Sequence, residues 1–226
     1  MRYLWLICVL LLTNVLQINA WAVNSGHGHK KTLFIYQQQI RRNYLNTSRY
    51  LVPGRAILIE GTPEHIMRIS DWLDQIVTLP HGRETLYAIL SSGNQLTIRH
   101  SAWALLASGR TLAPVSEDLI NGRGEDILIL FDARIPEQGS HCVFDAKGDP
   151  LEFTAVQNLF HELAHARHQT NGSWHYWDSE GQAIAEENVF RAQLHAAQGE
   201  GAVTHRAGIE GMQLWWPQDP QVRRGF

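Results

Sequence analysis

Cysteine is nearly absent from this chain. Only Cys8 and Cys142 occur in 226 residues, and Cys8 sits in an apolar run at the N-terminus. With that run removed, Cys142 stands alone, which excludes an internal disulfide and a cysteine-rich zinc site. A basic excess is missing as well: 19 Lys and Arg against 22 Asp and Glu leave a formal charge of −3. Nucleic-acid binders usually show the opposite balance, so no nucleic-acid partner is expected. Beyond Ala22 no stretch is long and apolar enough to cross a bilayer, and there is no repeat, low-complexity tract or linker. What the chain does have is large apolar residues, 44% hydrophobic with eight Trp, and 12 His. That is enough apolar material for the core of one domain.

The N-terminus reads as an export signal. Met1-Arg2 is a short positive start, Leu4 to Leu12 is an apolar core, and Ala20-Trp21-Ala22 fits small-x-small cleavage after Ala22. Thr13, Asn14, Gln17 and Asn19 interrupt the apolar run, so it would make a poor retained anchor. The mature chain is expected to begin near Val23, outside the cytoplasm and without a stable membrane anchor. His27 and His29 read as part of a solvated tail, and Trp215-Trp216-Pro217 as a packed one.

Along the mature chain, Leu33–Tyr36 and Ala56–Ile59 are strand candidates. Thr62-Pro63 opens a helix whose inward positions are Ile66, Ile69, Leu73, Ile76 and Val77, with Pro80 ending it. His81–Ser92 reads as a second helix and Gln95–His100 as an exposed strand. Ser101–Arg123 reads as an irregular surface excursion, Asp126–Phe131 as a buried strand, and 133–148 as a loop. Asp149-Pro150-Leu151-Glu152 has the pattern of a capping box with Pro at the first position, so a helix is predicted to open there and to end at Gly172.

That predicted helix carries His161-Glu162-Leu163-Ala164-His165. Histidines four apart project from one face, one turn apart, which suits two imidazoles on one tetrahedral Zn²⁺. Glu162, following the first histidine, is the acid that serves as general base in this spacing. The bland alternative is an exposed helix face that happens to hold two histidines and a glutamate. A catalytic zinc needs a third protein ligand, and Asp178, Glu180, Glu186 and Glu187 all follow within reach. Glu186 and Glu187 are predicted in the early turns of a further helix, Ala183–Ala197, where two adjacent carboxylates are costly unless a metal neutralises one. For Glu187, a solvated carboxylate or a partner for Arg191 is as good a reading as ligation.

Several pieces occur in a recognisable order: Gly61-Thr62-Pro63-Glu64, His81-Gly82-Arg83-Glu84, Ser92-Gly93, Ile127–Phe131, Phe160–Ala166, Asn171-Gly172 and Glu187-Asn188-Val189-Phe190-Arg191. In this order the chain, from about Gly61 to Leu194, resembles the NleD-type effector zinc metallopeptidases of bacteria. The resemblance implies a zincin-like domain, a zinc cofactor and a peptide or protein substrate. It departs from the family where a separate Glu-Glu pair is fused into Glu186-Glu187-Asn188, and where an export signal replaces direct injection. Ala183-Ile184-Ala185-Glu186 also resembles the glutamate helix of thermolysin-like gluzincins, which implies Glu186 as the third ligand. Tyr176, eleven residues after His165, stands where those enzymes carry a tyrosine that stabilises the transition state; aromatic packing is its other reading.

The expected architecture is a single α+β, zincin-like domain: signal peptide 1–22, an extension with short strands over 23–60, and a peptidase domain over 61–226. The expected function is an exported zinc endopeptidase with His161, His165 and Glu186 as ligands and Glu162 and Tyr176 as catalytic residues. The other classes compatible with the sequence are a non-catalytic binding module on the same scaffold and a zinc amidohydrolase acting on cell-wall amides.

Overall fold

The computed structural model describes residues 57–102, 108–199 and 203–208, together with the backbone of 32–36. The export signal, His27, His29 and Trp215-Trp216-Pro217 lie outside the described residues. The elements run β1 (Thr32–Tyr36), β2 (Ile57–Gly61), α1 (Pro63–Thr78), α2 (Pro80–Ser91), β3 (Leu96–His100) and β4 (Gly109–Leu112). After a short 3-10 turn (Glu117–Leu119) come β5 (Ile127–Phe131), β6 (Cys142–Phe144), β7 (Pro150–Glu152), α3 (Ala155–Thr170) and α4 (Ser179–Gln198). The result is a mixed α/β fold with four helices and two sheets among the described residues.

The main sheet has the order β1-β2-β3-β5-β4. Strands β2, β3 and β5 are parallel, and β1 and β4 close the two sides antiparallel. One face of this sheet is buried through Ile57, Ile59, Leu96, Ile98, Ile127, Ile129 and Phe131. The helices meet it with Ile69, Trp72, Leu73 and Ile76 from α1, Leu86 and Ile89 from α2, and Leu159 and Leu163 from α3. Burial of one face only explains the polar–apolar alternation of Gln95–His100. That alternation predicted an exposed strand, but β3 lies in the middle of the sheet, because any strand covered on a single side alternates wherever it sits.

Local signals decide several boundaries. Thr62 caps α1 by accepting from the His65 amide, and Pro63 takes the first helical position. Pro80 does more than end α1: it begins α2, with the extended Leu79 as the single residue between them. The helix predicted at Asp149 starts later. Pro150–Glu152 is strand β7, paired with β6, and the reciprocal cap belongs to Thr154 and Gln157, each side chain bonding the other's amide. The segment read as an irregular excursion contains β4, and the 133–148 loop contains β6. Both are strands of only three or four residues, too short to carry a periodic pattern of their own.

Candidate metal centre and its surroundings

Helix α3 crosses the interior, and 14 of its 16 residues are buried. His161 and His165 lie on it one turn apart, their rings 4.9 Å apart and nearly perpendicular. Helix α4 packs against α3 through a stacked Phe160–Phe190 pair at 4.0 Å. That packing brings Glu180, in the first turn of α4, to the two imidazoles: its oxygens lie 3.3 Å from His161 Nε2 and 3.2 Å from His165 Nε2. The three donor atoms all lie within 4.8 Å of one another, the spacing a single metal ion requires. The hydrogen bonds from His161 and then His165 hold the Glu180 carboxyl well below its usual range, so it is an anion facing two nitrogen donors.

Glu186, the acid predicted as third ligand, is elsewhere. Its carboxylate takes a hydrogen bond from Arg167 Nη1 at 2.8 Å and lies 2.6 Å from His81 Nε2 and 3.5 Å from His168 Nε2, the two histidine contacts being off the hydrogen-bond direction. Arg167 also donates to Glu84 at 2.9 Å, so this cluster ties α2, α3 and α4 together. The reason is angular. At 100° per residue, Glu180 and Glu187 are seven residues apart and share a face of α4, whereas Glu186 is turned roughly 100° away from Glu187. Burial works against ionising Glu186, but the close His168 and His81 rings and the Arg167 charge outweigh it and hold the carboxyl far below its usual 4.5. A carboxyl depressed on folding contributes stability above its unfolded pKa and loses it as pH falls through the folded value. Glu186→Gln is therefore expected to cost about 1–3 kcal/mol at pH 7. The gap from the unsubstituted protein shrinks once pH falls below about 4.5. Urea unfolding at pH 7 and pH 3 checks both the size and the sign.

Glu187 is fully buried and supports His161 from behind. Its Oε2 lies 3.1 Å from His161 Nδ1. With a proton on Nδ1 for that bond, Nε2 keeps its lone pair for a metal. Burial alone lowers the basicity of His161, but Glu180 and Glu187 outweigh it and raise the metal-free imidazole to about 9. Burial likewise opposes ionisation of Glu187, yet the His161 bond and the Arg206 charge bring it to about 2.

Glu162 stands beside this centre on the wall facing β4. The Thr111 hydroxyl lies 2.6 Å from its Oε2 and donates to it. Gly109, two residues before Thr111 on the same strand face, leaves room for the glutamate stem: a Cβ there would stand 2.6 Å from Glu162 Cγ. The cavity in front of these groups has a volume of about 690 Å³ and extends past Gly109, Thr111, His141, Trp174 and Arg206. Tyr176 is not part of its lining. The residue is 61% exposed, and its ring packs edge-on between Trp174 at 5.3 Å and Trp177 at 4.9 Å. The α4 helix starts four residues earlier than predicted, at Ser179, and that is why Glu180 takes part.

Two imidazoles and a carboxylate converging beside a glutamate have the composition of a metallopeptidase-type site. Residues 53–202 match the model of peptidase family M91, described as effector protein, and the chain belongs to this NleD-like family. Among curated proteins, none matches the chain. No helix among the described residues is long and apolar enough to cross a membrane.

Proposed function

We propose that the protein is a zinc-dependent endopeptidase with a zincin-like fold, its metal held by His161, His165 and Glu180. The observation that carries this reading is the convergence of His161 Nε2, His165 Nε2 and a Glu180 oxygen within 4.8 Å of one another. Two nitrogens and one carboxylate oxygen suit zinc, and three protein donors leave the fourth position open, as a catalytic site requires. A zinc ion bound there would supply Lewis acidity to water and to a peptide carbonyl.

The remaining chemistry belongs to the chain. Glu162 is held through Oε2 by Thr111, which leaves Oε1 to take the proton of the attacking water and return it to the leaving nitrogen. Glu187 holds the His161 ring in place through Nδ1. Strand β4 is an outermost strand of the main sheet, and Gly109 to Thr111 border the cavity, so an extended polypeptide has a backbone to pair with beside Glu162. Membership of an effector peptidase family points the same way, to a protein substrate. In this reading residues 1–22 are an export signal and the enzyme works outside the cytoplasm.

Metal removal tests the reading. Purified protein is expected to carry one zinc per chain by elemental analysis and to cleave casein. Chelation with 1,10-phenanthroline is expected to abolish cleavage, and added zinc to restore it. Casein cleavage that survives complete demetallation, or zinc-loaded protein that cleaves nothing, would falsify the assignment.

A further inference from the structure

The wall of the cavity holds a charge that the metal chemistry leaves unused. Buried Glu187 faces two buried guanidiniums, Arg191 Nη2 at 3.1 Å from Oε1 and Arg206 Nη1 at 2.6 Å from Oε2. One carboxylate against two guanidiniums leaves one positive charge. Arg191 is also spoken for by the Glu152 carbonyl, which accepts from its Nη1 at 2.8 Å. The nearby Asp145 turns its Oδ1 to its own loop amides, Lys147 N at 2.8 Å and Asp149 N at 2.9 Å. In the function proposed above, Glu162 and Glu180 serve the metal and the water.

Arg206 is the member of this cluster that reaches the cavity. Its side chain is 8% exposed, and Nη1 is its bonded nitrogen. Among the described residues Nε is buried with no partner, and Nη2 donates no hydrogen bond. Nε and Nη2 together form the side-on edge of a guanidinium, the edge that receives both oxygens of a carboxylate in parallel. The position is built rather than incidental. The Arg206 backbone bridges to Asp145, its amide donates to Asn188 Oδ1 at 2.8 Å, its carbonyl accepts from Asn188 Nδ2 at 3.0 Å, and Cζ sits 5.2 Å above the Phe153 ring. Arg110 and His141 line the same cavity and add no carboxylate. A buried charge without its counter-charge is costly to keep, and an anion on the Nε–Nη2 edge offsets that cost.

We propose that Arg206 is a specificity-determining residue that binds a carboxylate of the polypeptide substrate through its Nε–Nη2 edge. The carboxylate is an Asp or Glu side chain near the scissile bond or the C-terminal carboxylate of a short product-side segment. The proposal rests on the peptidase reading and sharpens it to a substrate class. Arg206 stands four residues beyond the stretch that matches the family, 53–202.

The test uses zinc-loaded, full-length protein and a synthetic library of 14-residue peptides. Each subsite is scanned with Asp, Glu, Asn, Gln, Lys and Ala, and every peptide is made with a free and with an amidated C-terminus. A preference of about tenfold or more in kcat/KM for acid over its amide isostere at one subsite is expected, the size of one charge-assisted bidentate contact. If the preference holds in amidated peptides, the side chain is the ligand; if it needs the free terminus, the C-terminal carboxylate is. In Arg206→Gln the acid-to-amide ratio is expected to fall to about one, and in Arg206→Lys to an intermediate value, since charge is kept and the fork lost. Because the ratio is taken within each variant, loss of folded or active protein does not alter it. Equal cleavage of acid and amide peptides by the unsubstituted protein, or an unchanged ratio in Arg206→Gln, overturns the proposal and leaves the peptidase reading standing. Zinc-loaded protein that cleaves neither casein nor any peptide overturns both.

Discussion

Glu162→Gln is expected to give a protein that binds zinc as well as the unsubstituted chain and cleaves peptides about 10²–10⁴-fold more slowly, the usual contribution of a positioned proton-transfer group. The exchange is isosteric. Its amide oxygen can still accept from the Thr111 hydroxyl, which lies 2.6 Å from Oε2, and the side chain still fills the space that Gly109 leaves. What disappears is an oxygen able to hold a proton. Glu162 is not among the donors that converge on one point, so metal content is expected to stay at one per chain. Zinc analysis and kcat/KM on a fluorogenic peptide read the two effects separately. A variant within tenfold of normal activity removes Glu162 from the chemistry; one that is inactive because it lost its zinc makes Glu162 part of the metal site instead.

The second large effect ranks three glutamates of α4. Removing Glu180 as in Glu180→Gln takes away one of three protein donors and is expected to weaken zinc binding on the order of 10³-fold, more than the 10–100-fold loss typical of an outer partner. Glu187→Gln disturbs only the group behind His161 and belongs in that smaller range. Glu186→Gln is expected to leave zinc affinity within about threefold while lowering stability, because its carboxylate clasps Arg167 and His81, away from the imidazole pair. Competition titrations against a zinc chelator give the order directly. If Glu186→Gln weakens zinc binding more than Glu180→Gln does, the ligand assignment drawn from the geometry is wrong.

The difficulty of choosing among these acids from sequence has a physical origin. A carboxylate one position along a helix points about 100° away, so one residue of error in register selects a different partner. The seven-residue spacing of Glu180 and Glu187 was a usable signal, two turns apart on one face. It was hidden because the helix was read as starting at Ala183, where apolar periodicity sets in. The first turn, Ser179 to Gln182, is polar and contains Gly181, so its helicity comes from docking on α3 rather than from pattern. Tyr176 lies outside the cavity lining for a related reason. Its distance from His165 along the chain is a fact of sequence, but the loop turns its ring outward, against Trp174 and Trp177.

The α3 boundary shows the same limit at close range. Asp149 to Glu152 and Thr154 to Gln157 both carry a capping-box pattern. The choice between them falls to the second, because the first is drawn into a hairpin with β6, whose residues lie six to ten positions earlier.

By itself the sequence determined the elements whose forces act over a few residues. These are the Thr62-Pro63 helix start, the buried strand at Ile127–Phe131, and a helix carrying His161, Glu162 and His165 with one turn between the histidines. It also carried the ordered motifs by which the chain was placed in its family. The tertiary structure alone decided which acid meets the imidazoles, that Gly109 and Thr111 of an outer strand receive Glu162, and that Arg206 closes on Glu187 from 19 residues away. Those contacts are set by how helices and strands pack against one another, and packing geometry depends on the whole set of buried surfaces rather than on any one segment.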